Sequence, residues 1–157
     1  MFCFVQQCDM KTNGGGWTLL DFFGADKRFG MGKGIETSGE LTGRGWTTNA
    51  KYLDHGYGPA AAKGTSMDFH NSGGSVAWIK KTLPSSFSQV QVEYAHFYNG
   101  GATLVYLEGK EKTRSNKNCA KHPCSIKYVA SYSGSAELKL DESQGTSVGA
   151  IYTVFVR

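Results

Sequence analysis

Proline and charged residues are scarce in this sequence: only 3 of the 157 residues are proline, and 19% are Asp, Glu, Lys or Arg. Aromatic residues make up 13%, which excludes a disordered chain, because disordered chains have few aromatic residues and low hydrophobicity. No apolar run approaches the ~18 residues of a membrane-spanning segment, so we expect no membrane insertion. Residues 1–7 are also too short for a signal peptide with an apolar core. The net charge of +4 is mild, and we expect no nucleic acid partner.

Glycine, in contrast, is abundant, with 21 residues, about twice its usual share. Frequent glycine favours many turns between short elements over long helices. The chain length is typical of one domain with its own core, so we predict a single domain over residues 1–157.

Short segments of alternating or continuous apolar residues predict an all-β fold. The expected strands are 18–23, 76–79, 90–98, 103–107, 125–130, 136–140 and 149–156. Such strands with turn signals between them predict an antiparallel β-sandwich or jelly roll. The last strand has few charges and is expected to be central, whereas alternation in 136–140 is typical of an outer strand. We interpret 24–75 as long loops with short strands, in which 60–63 is the only helix-like piece.

The 4 cysteines form two local pairs with C-x4-C spacing, Cys3 with Cys8 and Cys119 with Cys124. Three connectivities are possible, and the sequence does not choose between them; we favour the two local disulfides. An even cysteine number in a Gly-rich, strand-like sequence predicts a secreted, extracellular protein. A zinc site that used His122 would need a second cluster of ligands, which the sequence lacks, so we predict no metal there.

The segment CDMKTNGGGWTL, residues 8–19, closely resembles the opening of fibrinogen C-terminal-like domains, secreted modules that include ficolins, tachylectins and intelectins. This resemblance implies an N-terminal hairpin, in which Gly14–Gly16 permit a tight turn and Trp17 fills the core. The later acidic calcium loop of those domains is absent here, so we do not assign their ligand-binding residues to this chain. The second half resembles compact invertebrate lectins and matrix proteins of the coral type, which implies a galactose-binding lectin of the octocoral kind.

Catalytic and cofactor motifs are weak. Gly145–Gly149 matches the G-x-S-x-G string of serine hydrolases, but no histidine follows it, so we predict a non-catalytic protein. Calcium remains open, and no cofactor is predicted, because the sequence shows no ligand-spaced loop. The acidic residues available to calcium are Asp21, Asp26, Asp141 and Glu142.

A basic cluster lies in the second half of the chain. We interpret it as a solvated hairpin rather than a site for anionic glycans or nucleic acid, because Glu108 and Glu111 interrupt it and no aromatic residue is interleaved. Its members are Lys110, Lys112, Arg114, Lys117, Lys121 and Lys127.

Three segments combine aromatic rings with short polar side chains, which is the chemistry that binds sugars. The candidate sugar-binding residues are Tyr52, Asp54, His55 and Tyr57 in the first segment, His70 and Asn71 in the second, and His96, Tyr98 and Asn99 in the third. Each also has a structural interpretation: His96 and Tyr98 as core residues, and Asp54 and His55 as turn formers.

From these residues we predict a secreted, non-catalytic lectin for galactose- or N-acetylgalactosamine-type glycans. Single sugar sites are weak, so we expect a homo-oligomer that gains avidity. The alternative is an extracellular matrix or adhesive protein without a sugar site.

Overall fold

The computed structural model describes residues 8–9, 14–23, 34–35, 37–55, 67–70, 77–96, 102–115, 124–143 and 150–157. These residues contain one short helix, α1 (Ser38–Gly43), and twelve strands. The strands are β1 (Cys8–Asp9), β2 (Trp17–Phe22), β3 (Thr47–Thr48), β4 (Tyr52–His55), β5 (Met67–His70), β6 (Ala77–Leu83), β7 (Gln89–His96), β8 (Ala102–Leu107), β9 (Lys110–Ser115), β10 (Cys124–Ser131), β11 (Ala136–Ser143) and β12 (Ala150–Val156).

The strands form two antiparallel sheets. In the seven-stranded sheet, β12 pairs with β7 along one edge and with β2 and β5 along the other. Beyond these strands, β10 pairs with β7, β1 with β2, and β4 with β5. The five-stranded sheet has the order β3-β6-β11-β8-β9. The predicted all-β antiparallel sandwich is confirmed, and so is the central position of the last strand.

The prediction of an outer strand at 136–140 is wrong, because β11 lies in the middle of its sheet between β6 and β8. Its Leu138 and Leu140 are buried, whereas Glu137 is exposed. A strand alternates in this way wherever one face of its sheet meets the core, whether it is central or at an edge. The alternation therefore indicates that one face of the sheet is buried, and it does not distinguish a central strand from an edge strand.

One apolar core lies between the two sheets. Val90, Val92 and Val154 of the seven-stranded sheet and Leu138 and Leu140 of the five-stranded sheet are fully buried in it. Burial of each such side chain contributes about 1.5–3 kcal/mol. Val90 and Val92 lie two residues apart in β7, and Gln91 between them is also buried, so both faces of β7 are covered there.

The glycine-rich opening forms the expected hairpin. Gly14, Gly15 and Gly16 have φ angles of 87°, 75° and 75°, a region that L side chains rarely adopt. Trp17 follows as the first residue of β2 with 0% exposure, and Cys8 of β1 pairs with Thr18. The turn and the buried tryptophan predicted from CDMKTNGGGWTL are therefore confirmed.

The described residues contain a helix that was not predicted. Residues 60–63 lie outside the described part of the chain, and the helix that the structure shows is α1, which the sequence analysis treats as loop. A capping box starts it: the Glu40 N–H donates to Thr37 Oγ1 at 3.2 Å, and the Thr37 N–H donates to Glu40 Oε2 at 2.9 Å. This cap satisfies backbone donors that a six-residue helix otherwise leaves without partners.

The helix ends in a Schellman motif. Gly45 has a φ of 77°, its N–H donates to the Thr42 carbonyl, and the Trp46 N–H donates to the Leu41 carbonyl. Leu41 and Trp46 are buried at 0% and 1% exposure. The two caps and these two apolar side chains hold a helix that is too short to be stable alone.

Candidate functional site

The predicted sugar-binding residues fall on three strands of the seven-stranded sheet and on segments next to them. The structure describes the backbone positions of Tyr52, Asp54 and His55 in β4, His70 in β5 and His96 in β7. The other candidates, Tyr57, Asn71, Tyr98 and Asn99, lie outside the described residues.

Strand register brings the three predicted segments together. Ala150 of β12 pairs with His96 on one side and with Met67 on the other, and Met67 pairs with His55. His96 also pairs with Cys124 of β10. We call these five backbone positions the histidine row. Since neighbouring strands lie about 4.8 Å apart, His55 and His96 are about 15 Å from each other across the sheet.

The histidine row lies at one end of the sheet. His96 is the last residue of β7, while Cys124 and Ala150 are the first residues of β10 and β12. Binding residues are often found at strand ends, where a rigid sheet positions them beside loops. The register therefore assigns the three segments to one region, which the sequence alone does not.

The first and second segments are joined along the whole of β4 and β5. Tyr52 pairs with His70, and Asp54 pairs with Asp68. Directly paired residues have their Cα atoms about 4.5–5.5 Å apart. An aromatic residue, a histidine and two acidic residues thus occupy two pairs of adjacent positions.

A second polar surface covers the outer face of the five-stranded sheet, and its side chains are described. We call it the Tyr106 face; its members are Trp78, Lys80, Tyr106, Glu111, Arg114, Lys139 and Asp141. Lys139 pairs with Lys80 on one side and Tyr106 on the other, while Asp141 pairs with Trp78. The row of Lys80, Lys139 and Tyr106 continues into β9, where Glu111 pairs with Tyr106.

Ammonium groups lie over both aromatic rings of the Tyr106 face. Lys139 Nζ is 4.1 Å from the Tyr106 ring centroid, and Lys80 Nζ is 5.2 Å from that of Trp78. Lys80 also forms an ion pair with Glu137 at 3.1 Å. A sugar ring that stacked on either aromatic residue would first have to displace a lysine, so this face is not an open stacking platform.

Asp141 is the most buried charged group of the Tyr106 face, with 4% exposure. Its Oδ2 accepts from Lys139 Nζ at 2.9 Å, whereas its Oδ1 is buried and has no hydrogen-bond partner among the described residues. Burial raises the pKa of Asp141, against the opposing effect of Lys139 and Arg114. The contacts of Asp141 with Lys139 and Arg114 therefore offset only part of the free-energy cost of burying its negative charge.

Arg114 and Glu111 form a paired fork on the same face. Arg114 Nε and Nη2 donate to the two carboxylate oxygens of Glu111, each at 2.9 Å. This pairing lowers the pKa of Glu111 and raises that of Arg114. Both groups are well exposed, so solvent screens the pair and we expect a small contribution to stability.

Asp21 is a structural carboxylate rather than part of a ligand site. It is 4% exposed, and its two oxygens accept from Arg44 Nη1 and Trp46 Nε1, each at 2.8 Å. Lys81 Nζ donates to the Arg44 carbonyl, and burial lowers the pKa of Lys81, against the opposing charge of Asp21. These contacts tie β2 to the segment after α1 and to β6.

Two of the calcium candidates lie on different sheets. Asp21 lies on the seven-stranded sheet and Asp141 on the five-stranded sheet, while Asp26 lies outside the described residues. Within the described part of the chain, no group of three or more His, Cys, Asp or Glu side chains is placed to hold a metal ion.

The disulfide prediction falls partly outside the described residues, which include Cys8 and Cys124 but not Cys3 or Cys119. Cys8 is in β1 and Cys124 is in β10, with β2, β12 and β7 between them. Four strand spacings, or about 19 Å, exceed the ~7 Å limit for bridged Cα atoms. This excludes a Cys8–Cys124 bridge, and the local pairing stays a prediction.

The sequence analysis did not single out Trp78, Tyr106 or Lys139. Their signal was the alternation itself, since Lys139 and Asp141 occupy the polar positions between the buried leucines of β11. Their neighbours depend on the order of strands in the sheet, and a single sequence does not supply that order.

The fold defines the class of protein as an antiparallel β-sandwich. No protein-family model matches the sequence, and none of the curated proteins matches it. In the described part of the chain, no helix is long and apolar enough to cross a membrane.

Solved structures do share this fold. The CBM22-1 xylan-binding domain of Paenibacillus barcinonensis Xyn10C superposes with a TM-score of 0.51 and 12% identity, over 88% of this chain and 94% of that domain. The arabinose-bound α-L-arabinofuranosidase MgGH51 superposes with a TM-score of 0.50 and 16% identity, over 77% of this chain and 24% of that enzyme. A family 35 carbohydrate-binding module from an environmental isolate has a TM-score of 0.47 and 13% identity, over 72% and 86% of the two chains. At these identities the first two likenesses show the fold alone.

Proposed function

We propose that this protein is a secreted, non-catalytic lectin that binds galactose-type glycans at the end of the seven-stranded sheet. The observation that carries the proposal is the pairing of Ala150 with both His96 and Met67, because it assigns three separate polar–aromatic segments to one region. The three segments lie at one end of a single sheet, with β12 between β5 and β7, and this grouping supports a shared ligand.

The residue types in this region suit sugar hydroxyls. Carboxylates accept hydrogen bonds, neutral imidazoles both donate and accept, and aromatic rings offer flat apolar faces for the C–H groups of a sugar. Asp54 and Asp68 at paired positions, with Tyr52 and His70 paired two residues away, supply all three groups within one set of alternating positions of β4 and β5, and the His55–Met67 pair belongs to the other set. An axial hydroxyl beside an aromatic ring is matched by such a carboxylate or imidazole, which is why we propose galactose-type sugars.

The shared fold supports a glycan ligand in general terms, since one of the neighbours with this architecture is a xylan-binding domain. The resemblance of residues 8–19 to fibrinogen C-terminal-like domains and of the second half to octocoral lectins supports secretion and a galactose-type ligand. We further propose a homo-oligomer, because a single weak sugar site gains avidity when several copies act together.

The proposal is tested by a glycan array followed by calorimetric titration of the array's best ligand. We expect binding to terminal galactose or N-acetylgalactosamine, and a loss of about tenfold or more in His55→Ala and in His96→Ala, because each removes a hydrogen-bonding group from the region. Thr82→Ala, at an exposed position of β6, is the matched control and should bind like the parent protein.

Absence of glycan binding by the folded parent protein would overturn the proposal and favour the matrix or adhesive alternative. Circular dichroism of each variant separates lost binding from lost folding. Binding that is retained in both histidine variants would place the sugar site elsewhere on the molecule.

A further inference from the structure

A cleft opens between the two sheets where strand β9, at the edge of the five-stranded sheet, faces strand β10, at the edge of the seven-stranded sheet. Its volume is about 280 Å³, close to the lower end of the range for small-ligand sites. Its lining residues are Leu107, Glu108, Lys110, Lys112, Ser131, Tyr132 and Ser133. This cleft lies on different strand segments from the histidine row.

A β-bulge in the edge strand decides which basic residues line this cleft. Val105 pairs with Thr113 and Tyr106 pairs with Glu111, so Lys112 is the extra residue of β9. Lys110 and Lys112 line the cleft, whereas Arg114 lies beyond the bulge and pairs with Glu111 on the Tyr106 face. Bulges commonly redirect side chains in this way. The basic cluster expected from the sequence is thus divided between two surfaces.

The two lysines of the cleft are free to bind an anion. Both are exposed, and neither lysine side chain has a hydrogen-bond or ion-pair partner in the described part of the chain. The cleft also contains the carboxylate of Glu108, whose Oε1 accepts from the Glu137 N–H at 2.8 Å and which keeps its negative charge beside the two lysines. Ser131 and Ser133 are exposed and add two hydroxyl donors.

The lining also distinguishes between classes of anionic ligand. Nucleic acid sites on single strands combine basic residues with aromatic rings on which bases stack. Among the described residues that line the cleft, the one aromatic residue is Tyr132, which is 9% exposed and whose hydroxyl donates to the Pro84 carbonyl at 2.9 Å. These described residues therefore offer cations and hydroxyl groups without a stacking surface.

We propose that this cleft binds the anionic substituent of a glycan, a sulfate ester or a uronate carboxylate, through Lys110, Lys112 and the two serine hydroxyls. The proposal depends on the proposed function only for the class of ligand, a glycan rather than another polyanion. The ammonium groups supply charge-assisted hydrogen bonds to the anionic oxygens.

The test is calorimetric titration of the full chain with three polymers: dextran sulfate, polygalacturonate and uncharged dextran. We expect binding to at least one of the charged polymers, none to dextran, and an affinity that falls as salt is raised. The double variant Lys110→Gln/Lys112→Gln should lose about tenfold or more in affinity. The charge-matched control Lys51→Gln/Lys127→Gln removes two lysines outside the cleft and should retain most of the affinity.

Equal losses in the two double variants would show attraction by net charge alone and would overturn the proposal, as would failure of both charged polymers to bind. The relative affinities of dextran sulfate and polygalacturonate identify the anionic group. Tighter binding of single-stranded DNA than of either polymer would also contradict a glycan site. Because neutral galactosides test the histidine row and charged polymers test this cleft, failure of one proposal is distinguishable from failure of the other.

Discussion

Replacement of Asp21 by alanine should destabilise the fold strongly although the residue is far from the proposed binding surfaces. Asp21 accepts hydrogen bonds from Trp46 Nε1 and Arg44 Nη1, each at 2.8 Å. Trp46 is 1% exposed, so Asp21→Ala leaves a buried indole N–H without an acceptor, at a cost of about 1–3 kcal/mol. The Arg44 side chain is 41% exposed and can return to water, so its lost ion pair adds only about 1 kcal/mol.

The expected total for Asp21→Ala is about 2–4 kcal/mol. Urea unfolding followed by circular dichroism measures it as a lower midpoint with an unchanged slope. In thermal unfolding the same loss corresponds to about 5–15 °C for a chain of this length. Asp21→Asn keeps an acceptor for Trp46 and should cost less than the alanine variant.

A double-mutant cycle isolates the indole contact. In the Trp46→Phe background no buried N–H is left without an acceptor, so Asp21→Ala should cost about 1–3 kcal/mol less than in the parent protein. Arg44→Ala serves as the control that removes only the exposed partner. Additive effects of Asp21→Ala and Trp46→Phe, or an Asp21→Ala variant as stable as the parent protein, would refute this reasoning.

Three further substitutions test other parts of the structure. Because burial raises the pKa of Asp141, its contribution to stability is fully present below the unfolded pKa of ~3.9 and is lost as pH rises through the folded pKa. In urea unfolding measured from pH 3 to 7, the stability of Asp141→Asn should not fall with pH through this group. A pH profile of stability that is the same in Asp141→Asn and in the parent protein would contradict this prediction. Gly45→Ala should lower the free energy of unfolding by about 1–2 kcal/mol, because Gly45 has a φ of 77°. Gly43→Ala is the control and should change stability little. Equal effects of the two substitutions would count against the Schellman motif. Tyr132→Phe should cost about 1 kcal/mol through the lost bond to the Pro84 carbonyl, and an unaltered unfolding midpoint would argue that this bond contributes nothing.

Most strands could be predicted from the sequence because their patterns are local. Alternation at Val90 and Val92 identified β7, and the glycine triplet identified the turn before β2. The turn between β8 and β9 is equally local, since Glu108 and Gly109 have positive φ angles of 54° and 70°. Each of these features follows from a few adjacent residues.

The short helix α1 was missed although the sequence contained its signals. Thr37 and Glu40 have the spacing of a capping box, and Gly45 occupies the position after the C-cap. With only six residues, the helix has a single buried apolar side chain, Leu41, and therefore no repeating apolar stripe to detect. Its stability comes from the caps and from tertiary packing.

The grouping of polar residues could not be predicted, because it depends on pairing between distant strands. His55 and His96 are far apart in the sequence. They belong to one row of the sheet only because β5 and β12 lie between their two strands. The division of the basic cluster likewise depends on the bulge at Lys112, which is invisible without the partner strand. Local patterns identified the candidate residues, and the sheet register grouped them.

Titration of the folded protein with a terminal galactoside, repeated for His55→Ala, His96→Ala and Thr82→Ala, examines the proposed sugar site directly. We expect saturable binding that weakens about tenfold or more in each histidine variant and is unchanged in the Thr82 variant. Binding that is absent in the parent protein, or equal in all four proteins, would contradict a sugar site at the histidine row.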